Sequence, residues 1–330
     1  MALARVRGPG HPDQICDLIA ASIVEEYLKR DPVSQLNVRA SGGHGVVFVA
    51  GEVQSAADFD VAAVVRRVAA GSGVQSPIEP FIAFEPMAPA WAPPSGARDV
   101  THVFGYATVE TESRLPRAAH LAREAGRELE FRRTQDPDWF WLGSDYEVTV
   151  EDGGSKPSVV VRAEHLDSHD ISSVRLRIAA VLRNRLGDAE WRVNPAGEEL
   201  LAGLSARMGS SATASSVDQF GTSLPSNASG VGRHILHPLN AGAWIARRLA
   251  RSLVSAGQGK AVLVNASWRP LESKPYQVRV RNERGADLSA NADPSQFDLA
   301  ALPESFRDTG LITAVVRAPF EQSAVLPWES

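Results

Sequence analysis

The stretch Gly10-His11-Pro12-Asp13-Gln14-Ile15-Cys16-Asp17 opens an amphipathic helix and places an imidazole and a carboxylate in its first turn. Pro12 suits the first helical position, where its missing N–H costs nothing, and Asp13 lies where the helix dipole favours negative charge. A helix entrance of this kind also attracts phosphate. The tetrapeptide alone equally fits a plain helix cap with His11 on the surface. The buried face is predicted from apolar side chains at helical spacing, namely Ile15, Leu18, Ile19, Ile23 and Tyr27.

The composition is that of an ordinary globular protein. The chain has 330 residues, 44% hydrophobic and 22% charged, which is enough for two or three compact units. The net charge is −5 and the pI is near 5.9, and no lysine-rich run occurs. Because nucleic acids and anionic membranes attract basic surfaces, we expect neither as a partner.

Other sequence features bear on the compartment. The single cysteine, Cys16, has no partner for an internal disulfide, and its place on the first helix predicts a buried small side chain. Apolar runs stay well short of the ~18 residues that a membrane helix needs. The N-terminus lacks the apolar core of a signal peptide. These features predict a cytoplasmic protein.

Helical and strand patterns alternate along the chain and predict an α+β fold. Short hairpins favour sheets with helices on one face over a parallel doubly wound sheet. We divide the chain into residues 1–100, with a Pro-rich loop at 76–94 that is a lid or a linker, then 101–205 and 206–330. The other elements predicted are a helix from Pro116 to about Arg132, a hairpin of Glu147–Val150 and Ser158–Arg162, a helix capped at Ser168, a helix Ala241–Ala256, and strands Ala261–Ser267, Gln277–Val280 and Leu311–Arg317.

Further motifs follow the opening helix in a fixed order. They are Gly51-Glu52 at the end of a strand, Asp99 followed by Phe104-Gly105-Tyr106, then Val193-Asn194-Pro195, Val217-Asp218-Gln219-Phe220-Gly221 and Pro327-Trp328-Glu329. In this order and spacing the set resembles the S-adenosylmethionine synthetases. The resemblance spans about residues 10–329 and implies three similar α+β domains around a pseudo-threefold axis, with mixed or antiparallel sheets. It also implies a homodimer whose active sites lie between the subunits.

The resemblance implies a reaction and roles for four residues. Methionine sulfur would attack C5′ of ATP, with loss of the whole triphosphate, so the protein aligns the reactants and neutralises the leaving group. His11 would contact the leaving group, and Asp13 would be a magnesium ligand. Glu52 would contact substrate, and Asp99 would belong to the active-site loop.

Several positions depart from the family pattern. Arg207 occupies a position where the family has an acidic residue, and Thr213-Ala214 occupies the position of an Arg-Lys pair. Arg233 and His237 stand for two lysines, and Leu239 for the second magnesium carboxylate. A magnesium site with one carboxylate is weak unless substrate phosphates complete it. Candidate catalytic residues are therefore His11, Arg233 and His237. Candidate substrate-binding residues are Glu52, Asp99, Arg39, Arg98 and Arg207, with Arg39 where the family has its potassium ligand.

Three functions stay open at this point. The first is sulfonium formation from ATP and methionine or a similar thioether. The second is chemistry on S-adenosylmethionine itself, without a triphosphate; the missing lysines favour it, whereas the retained Asp13 favours the first. The third is a non-catalytic subunit that binds a nucleoside or pairs with an authentic synthetase.

Overall fold

The computed structural model describes residues 2–74, 76–87, 95–213, 217–318, 320 and 326–329. In this part of the chain, three β-sheets carry packed α-helices, as expected for an α+β protein. Among these residues, no helix has the length and apolar character needed to cross a bilayer.

The helices and strands have the following bounds. The helices are α1 (Pro12–Arg30), α2 (Val61–Gly71), α3 (Arg117–Gln135), α4 (Ile171–Leu186), α5 (Gly203–Ala206), α6 (Ala243–Ser255) and α7 (Gly310–Arg317). The strands are β1 (Ala2–Arg7), β2 (Gln35–Gly43), β3 (Val46–Gln54), β4 (Glu79–Pro86), β5 (Thr101–Thr108), β6 (Leu142–Asp152), β7 (Ser158–His165), β8 (Glu190–Val193), β9 (Gly209–Ser210), β10 (Ala261–Trp268) and β11 (Gln277–Asn282). A π-helical turn, Pro238–Gly242, leads into α6.

The three sheets exchange strands between distant parts of the chain. Their orders are β1-β6-β7-β8, β11-β10-β5 and β4-β3-β2-β9. Among the strand pairs of the described residues, β3–β4 and β7–β8 are parallel and the others are antiparallel. Strand β1 joins the sheet of the central segment, β5 joins the sheet of the C-terminal segment, and β9 joins the sheet of the N-terminal segment. The division at residues 100 and 205 stays a prediction, and the sheets cross both boundaries.

Helix α1 is buried around most of its circumference. The predicted face is confirmed, since Ile15, Ile19 and Ile23 are fully inaccessible. The opposite face is also covered, because α2, α7 and β9 contact the helix from other sides than β2. Cys16 is buried, as predicted, and it is a free thiol. Polar groups on this helix must therefore find their partners inside the protein.

Three predicted elements need correction. Residues 311–317 form helix α7, not a strand, because the segment packs on α1 and tertiary contacts override its β-branched composition. The cap of α4 is Asp170, whose side chain accepts hydrogen bonds from two backbone N–H groups, and not Ser168. Within the Pro-rich stretch 76–94, residues 79–86 form strand β4; residues 88–94 lie outside the described part of the chain.

A buried ion pair fastens the C-terminal segment to the core. The Arg247 Nε and Nη2 atoms donate to the two Glu329 carboxylate oxygens at 2.8 and 3.0 Å, and Arg251 adds a bond of 2.6 Å. Arg247 also donates to the backbone carbonyls of Ser113 and Arg114. The Glu329 side chain is fully buried. The pair therefore joins α6, the segment after β5 and the C-terminal segment.

We expect Glu329→Gln to lower the free energy of unfolding by about 3 to 5 kcal/mol, because it leaves the buried Arg247 guanidinium without a counter-charge. The measurement is equilibrium denaturation in urea. The control is Asp188→Asn, which removes an exposed partner of Lys156 and should leave the free energy of unfolding close to that of the wild type. Equal losses in the two variants would contradict the anchoring role.

Candidate functional site

His11 caps the N-terminus of α1 and is almost fully buried. Its Nδ1 accepts a hydrogen bond from the Asp13 backbone N–H at 3.2 Å, which leaves the ring proton on Nε2. Burial, followed by the charge of Arg7, lowers the pKa of His11 to about 4. The ring is therefore neutral at pH 7. Its Nε2–H lies 3.7 Å from the Glu147 carboxylate, beyond hydrogen-bond distance, and is available to a substrate atom.

Asp13 uses both of its carboxylate oxygens within the protein. Oδ1 accepts a hydrogen bond from the Ser210 N–H at 3.0 Å, and Oδ2 lies 3.3 Å from Arg7 Nη1. Gly209 makes the first contact possible, since a Cβ there would lie 2.2 Å from the Pro12 carbonyl carbon. Strand β9 can therefore lie directly against the first turn of α1.

A second buried carboxylate lies beside this helix entrance. Asp145 is fully buried and bonded by Arg162 and Arg207, each at 2.5 Å. Burial alone would raise the pKa of Asp145, but Arg162, the Gly203 N–H and Arg207 together hold it below its ordinary value. The charges of Asp145 and Arg207 both act on His11. We call these residues the helix-entry group: Arg7, His11, Asp13, Asp145 and Arg207.

The remaining predicted residues gather on the outward face of β2 and β3. Arg39 and Glu52 lie on this face, because the residues that alternate with them point into the core. The Glu52 carboxylate accepts a bond of 3.0 Å from Arg98. Arg233 bridges β2 through its backbone, and its charge interacts with those of Asp99 and Glu52. We call these residues the sheet-face group: Arg39, Glu52, Arg98, Asp99 and Arg233.

Arg39 and Arg233 are cations without a counter-charge in contact. Arg39 Nη1 donates to the carbonyls of Val38 and Val231, and the Arg233 Nε–H is buried without a hydrogen-bond partner. Burial lowers the pKa of both guanidinium groups, which also repel each other. Among the described residues, no carboxylate oxygen lies within 4 Å of either group. An anionic ligand would compensate them.

His237 is placed as a structural cap. Its Nδ1 accepts a hydrogen bond from the Leu239 N–H at 3.1 Å at the start of the π-helical turn. His234 does the same for the Leu236 N–H at 3.0 Å. Burial lowers the pKa of His237 well below its ordinary value and that of His234 to about 4. Both are neutral at pH 7, which argues against His237 as a replacement for a phosphate-binding lysine.

The residues present do not fit a protein-held magnesium ion. Arg7 already neutralises Asp13, and Leu239, which aligns with the second family carboxylate, offers no ligand atom. In the described ranges, no three His, Cys, Asp or Glu side chains are grouped so that they could hold a metal. Arg39 occupies the position that aligns with the family's potassium ligand. Its guanidinium donates to the carbonyl oxygens of Val38 and Val231, and carbonyl oxygens are also ligands of hard cations.

Several residues of the site were not found from the sequence. Arg7 and Asp145 belong to the helix-entry group, and Glu147 faces His11. The spacing of Arg5 and Arg7, two residues apart just before the motif, is a signal for one face of a strand. The partners of β1 lie about 140 residues away, in β6. No local pattern indicates that pairing.

Two comparisons with known proteins agree with this architecture. Residues 4–83 match the family model "S-adenosylmethionine synthetase, N-terminal domain". The whole chain is similar to the structure of an unusual S-adenosylmethionine synthetase from Campylobacter jejuni, with a TM-score of 0.82 and 22% identity over 99% of this chain and 96% of that one. At this identity the structural likeness shows the fold. Residues 4–83 are thus similar to the N-terminal domain of the S-adenosylmethionine synthetases, and the chain shares the fold of the Campylobacter jejuni structure over nearly its whole length.

Proposed function

We propose that this protein is a transferase that acts at C5′ of an adenosine nucleotide and holds the nucleotide's anionic groups with arginine instead of magnesium. The observation that carries the proposal is the pair of uncompensated guanidinium groups, Arg39 and Arg233, on the same sheet face as Glu52. Guanidinium groups bind phosphate through paired, charge-assisted hydrogen bonds. The match to the synthetase N-terminal domain supports the nucleotide as the substrate class.

In this proposal the two groups have different tasks. The sheet-face group binds the anionic part of the substrate, and Glu52 contacts its polar part. His11 donates its Nε2–H to the oxygen that departs from C5′ as the nucleophile, a methionine-like sulfur, forms the new bond. The charges of Asp13 and Asp145 are satisfied by Arg7, Arg162 and Arg207, so they fix the position of the helix entrance.

We also propose a homodimer, in which the two groups that form one site come from different subunits. Phe48 and Phe81 stack on each other at 5.1 Å on the outward sheet face and are both exposed. Exposed stacked aromatics beside the sheet-face group favour a contact with a second copy of the sheet. The helix-entry group of one subunit would then complete the sheet-face group of its partner.

One observation favours a second candidate, chemistry on a sulfonium such as S-adenosylmethionine without a triphosphate. Arg7 occupies the Asp13 carboxylate, which in the family pattern would serve the magnesium of a triphosphate. A sulfonium leaves C5′ as a neutral thioether and needs no metal. The two candidates differ in what they consume, which a direct assay separates. A non-catalytic subunit would bind ligand without turnover.

We expect the protein to form a sulfonium and release phosphate from ATP and a methionine-like thioether, and to do so equally with magnesium or with EDTA. The products are measured by mass spectrometry and phosphate release. His11→Asn keeps the helix cap and removes the Nε2 donor, so it should lower kcat at least about tenfold while ligand binding persists. Consumption of S-adenosylmethionine alone would support the second candidate, and binding without turnover would overturn both.

We expect Arg233→Ala to weaken ATP binding about 10- to 100-fold at low salt, because it removes a charge-assisted contact. The difference from the wild type should shrink as salt screens the interaction. Titration calorimetry at low and high ionic strength measures both effects. Arg284→Ala, at a highly exposed arginine, is the control. Unchanged affinity in Arg233→Ala would remove this residue from the site.

We expect two impaired variants to complement each other when their subunits are mixed and ATP is below saturation. His11→Asn damages one half of the site and Arg233→Ala the other, so a mixed dimer has one intact site and one doubly damaged site. Random exchange of subunits should therefore recover about a quarter of the wild-type activity. No recovery, with exchange verified by mass spectrometry, would show that both residues act from the same subunit.

A further inference from the structure

A partly open cavity lies between β1, α1, α3, α6 and α7, and of the helix-entry group Arg7 alone lines it. Its volume is about 200 Å³. Pockets for drug-sized ligands usually measure about 300 to 1,000 Å³, so this cavity suits a small molecule. Its walls include several aromatic side chains, two carboxylates and five arginines, namely Asp17, Asp218, Arg5, Arg7, Arg123, Arg247 and Arg317.

Arg123 is a buried cation without a carboxylate partner. Its Nη2 donates to the backbone carbonyls of Asp218 and Gln219 at 2.7 and 3.3 Å, while its Nε–H has no hydrogen-bond partner in the described structure. Among the described residues, no carboxylate oxygen lies within 4 Å of this guanidinium. Burial lowers the pKa of Arg123 to about 10, so the group stays charged at neutral pH. A buried charge of this kind is costly unless something compensates it.

A second unused donor lines the same cavity. The terminal nitrogens of Arg7 face the carboxylates of Asp13 and Asp218, but its buried Nε–H has no partner among the described residues. Asp218 forms ion pairs with Arg5 and Arg7, and its charge and that of Glu329 act on Arg123 only from beyond ion-pair distance. Among the described residues, two buried N–H donors of the cavity therefore lack a partner, and its five arginines outnumber its two carboxylates.

One part of the wall is aromatic. Trp244 and Trp328 stack at 4.4 Å with an angle of 14° between their planes, and both line the cavity. The Arg123 guanidinium lies 4.5 Å from the ring centre of Phe320, another lining residue. Such surfaces accept a planar group by stacking.

We propose that this cavity is a second ligand site, which binds a small organic anion with a planar apolar part. The anionic head accepts hydrogen bonds from the Nε–H groups of Arg123 and Arg7, and the planar part lies against the tryptophan side chains. This site is separate from the sheet-face group, to which we assign the nucleotide, so it can be tested without any turnover.

The test uses benzoate as the probe, with benzamide as its neutral counterpart and acetate as an anion without a ring. Because Trp244 and Trp328 line the cavity, binding is followed by tryptophan fluorescence and by the shift of the thermal unfolding midpoint. We expect saturable binding of benzoate, at least about tenfold tighter than that of benzamide or acetate. Equal binding of the three probes, or no saturable binding of benzoate, would overturn the proposal.

The variant Arg123→Met removes the cation and keeps most of its volume, and Arg127→Met on the same helix is the matched control at a half-exposed arginine. We expect Arg123→Met to weaken benzoate binding about 10- to 100-fold and the control to leave it unchanged. Without benzoate, Arg123→Met should be at least as stable as the wild type, because an uncompensated buried charge is gone. Unchanged benzoate affinity in a folded Arg123→Met, or in Arg123→Lys should the first variant not fold, would contradict the site.

Discussion

The burial of helix α1 is the constraint on which the other features depend. The helix contacts β2, β9, α2 and α7, so the polar residues of its first two turns have limited access to water. Each of three such residues accepts a backbone N–H: His11 from Asp13, Asp13 from Ser210, and Asp17 from Ala212. Burial raises the pKa of Asp17 to about 7. The same packing that stabilises the fold therefore fixes the imidazole and the carboxylate at the helix entrance.

Arginine dominates the electrostatics of this protein, in which only four of the 34 basic residues are lysine. Most arginines near the candidate site form ion pairs with carboxylates, as Arg7 does with Asp13 and Arg207 does with Asp145. A guanidinium has a planar fork of donors and stays charged even when buried, so it can take a fixed position that a metal ion or a lysine would otherwise occupy. This chain thus has the synthetase fold with a different means of balancing charge.

The uncompensated arginines are informative because the neighbouring ones are so well paired. Arg247 donates to the carboxylate of Glu329 and to the backbone carbonyls of Ser113 and Arg114. These contacts give it a role in holding the fold together. Arg123 is as deeply buried, and within the described part of the chain it contacts backbone carbonyls and the Phe320 ring but no carboxylate. A charge that lowers stability persists where it serves binding, since functional sites carry costs that the rest of the fold must offset. Such arginines lie at two places, the cavity beside Arg123 and the outward sheet face with Arg39 and Arg233.

Local periodicity and motif order were enough to predict the α+β class, helix α1 with its buried face, and most of the later helices and hairpins. The sequence by itself did not reveal β1, and it assigned a strand to residues 311–317, which form α7. Both depend on contacts across the fold, with β6 and with α1. The folded arrangement alone shows that Arg7 neutralises Asp13 and that His237 is a neutral cap. It also shows that, among the described residues, no carboxylate contacts Arg39 or Arg233. The physical reason is that the charge balance of a site depends on which distant side chains fold against it, and a linear pattern does not encode those distances.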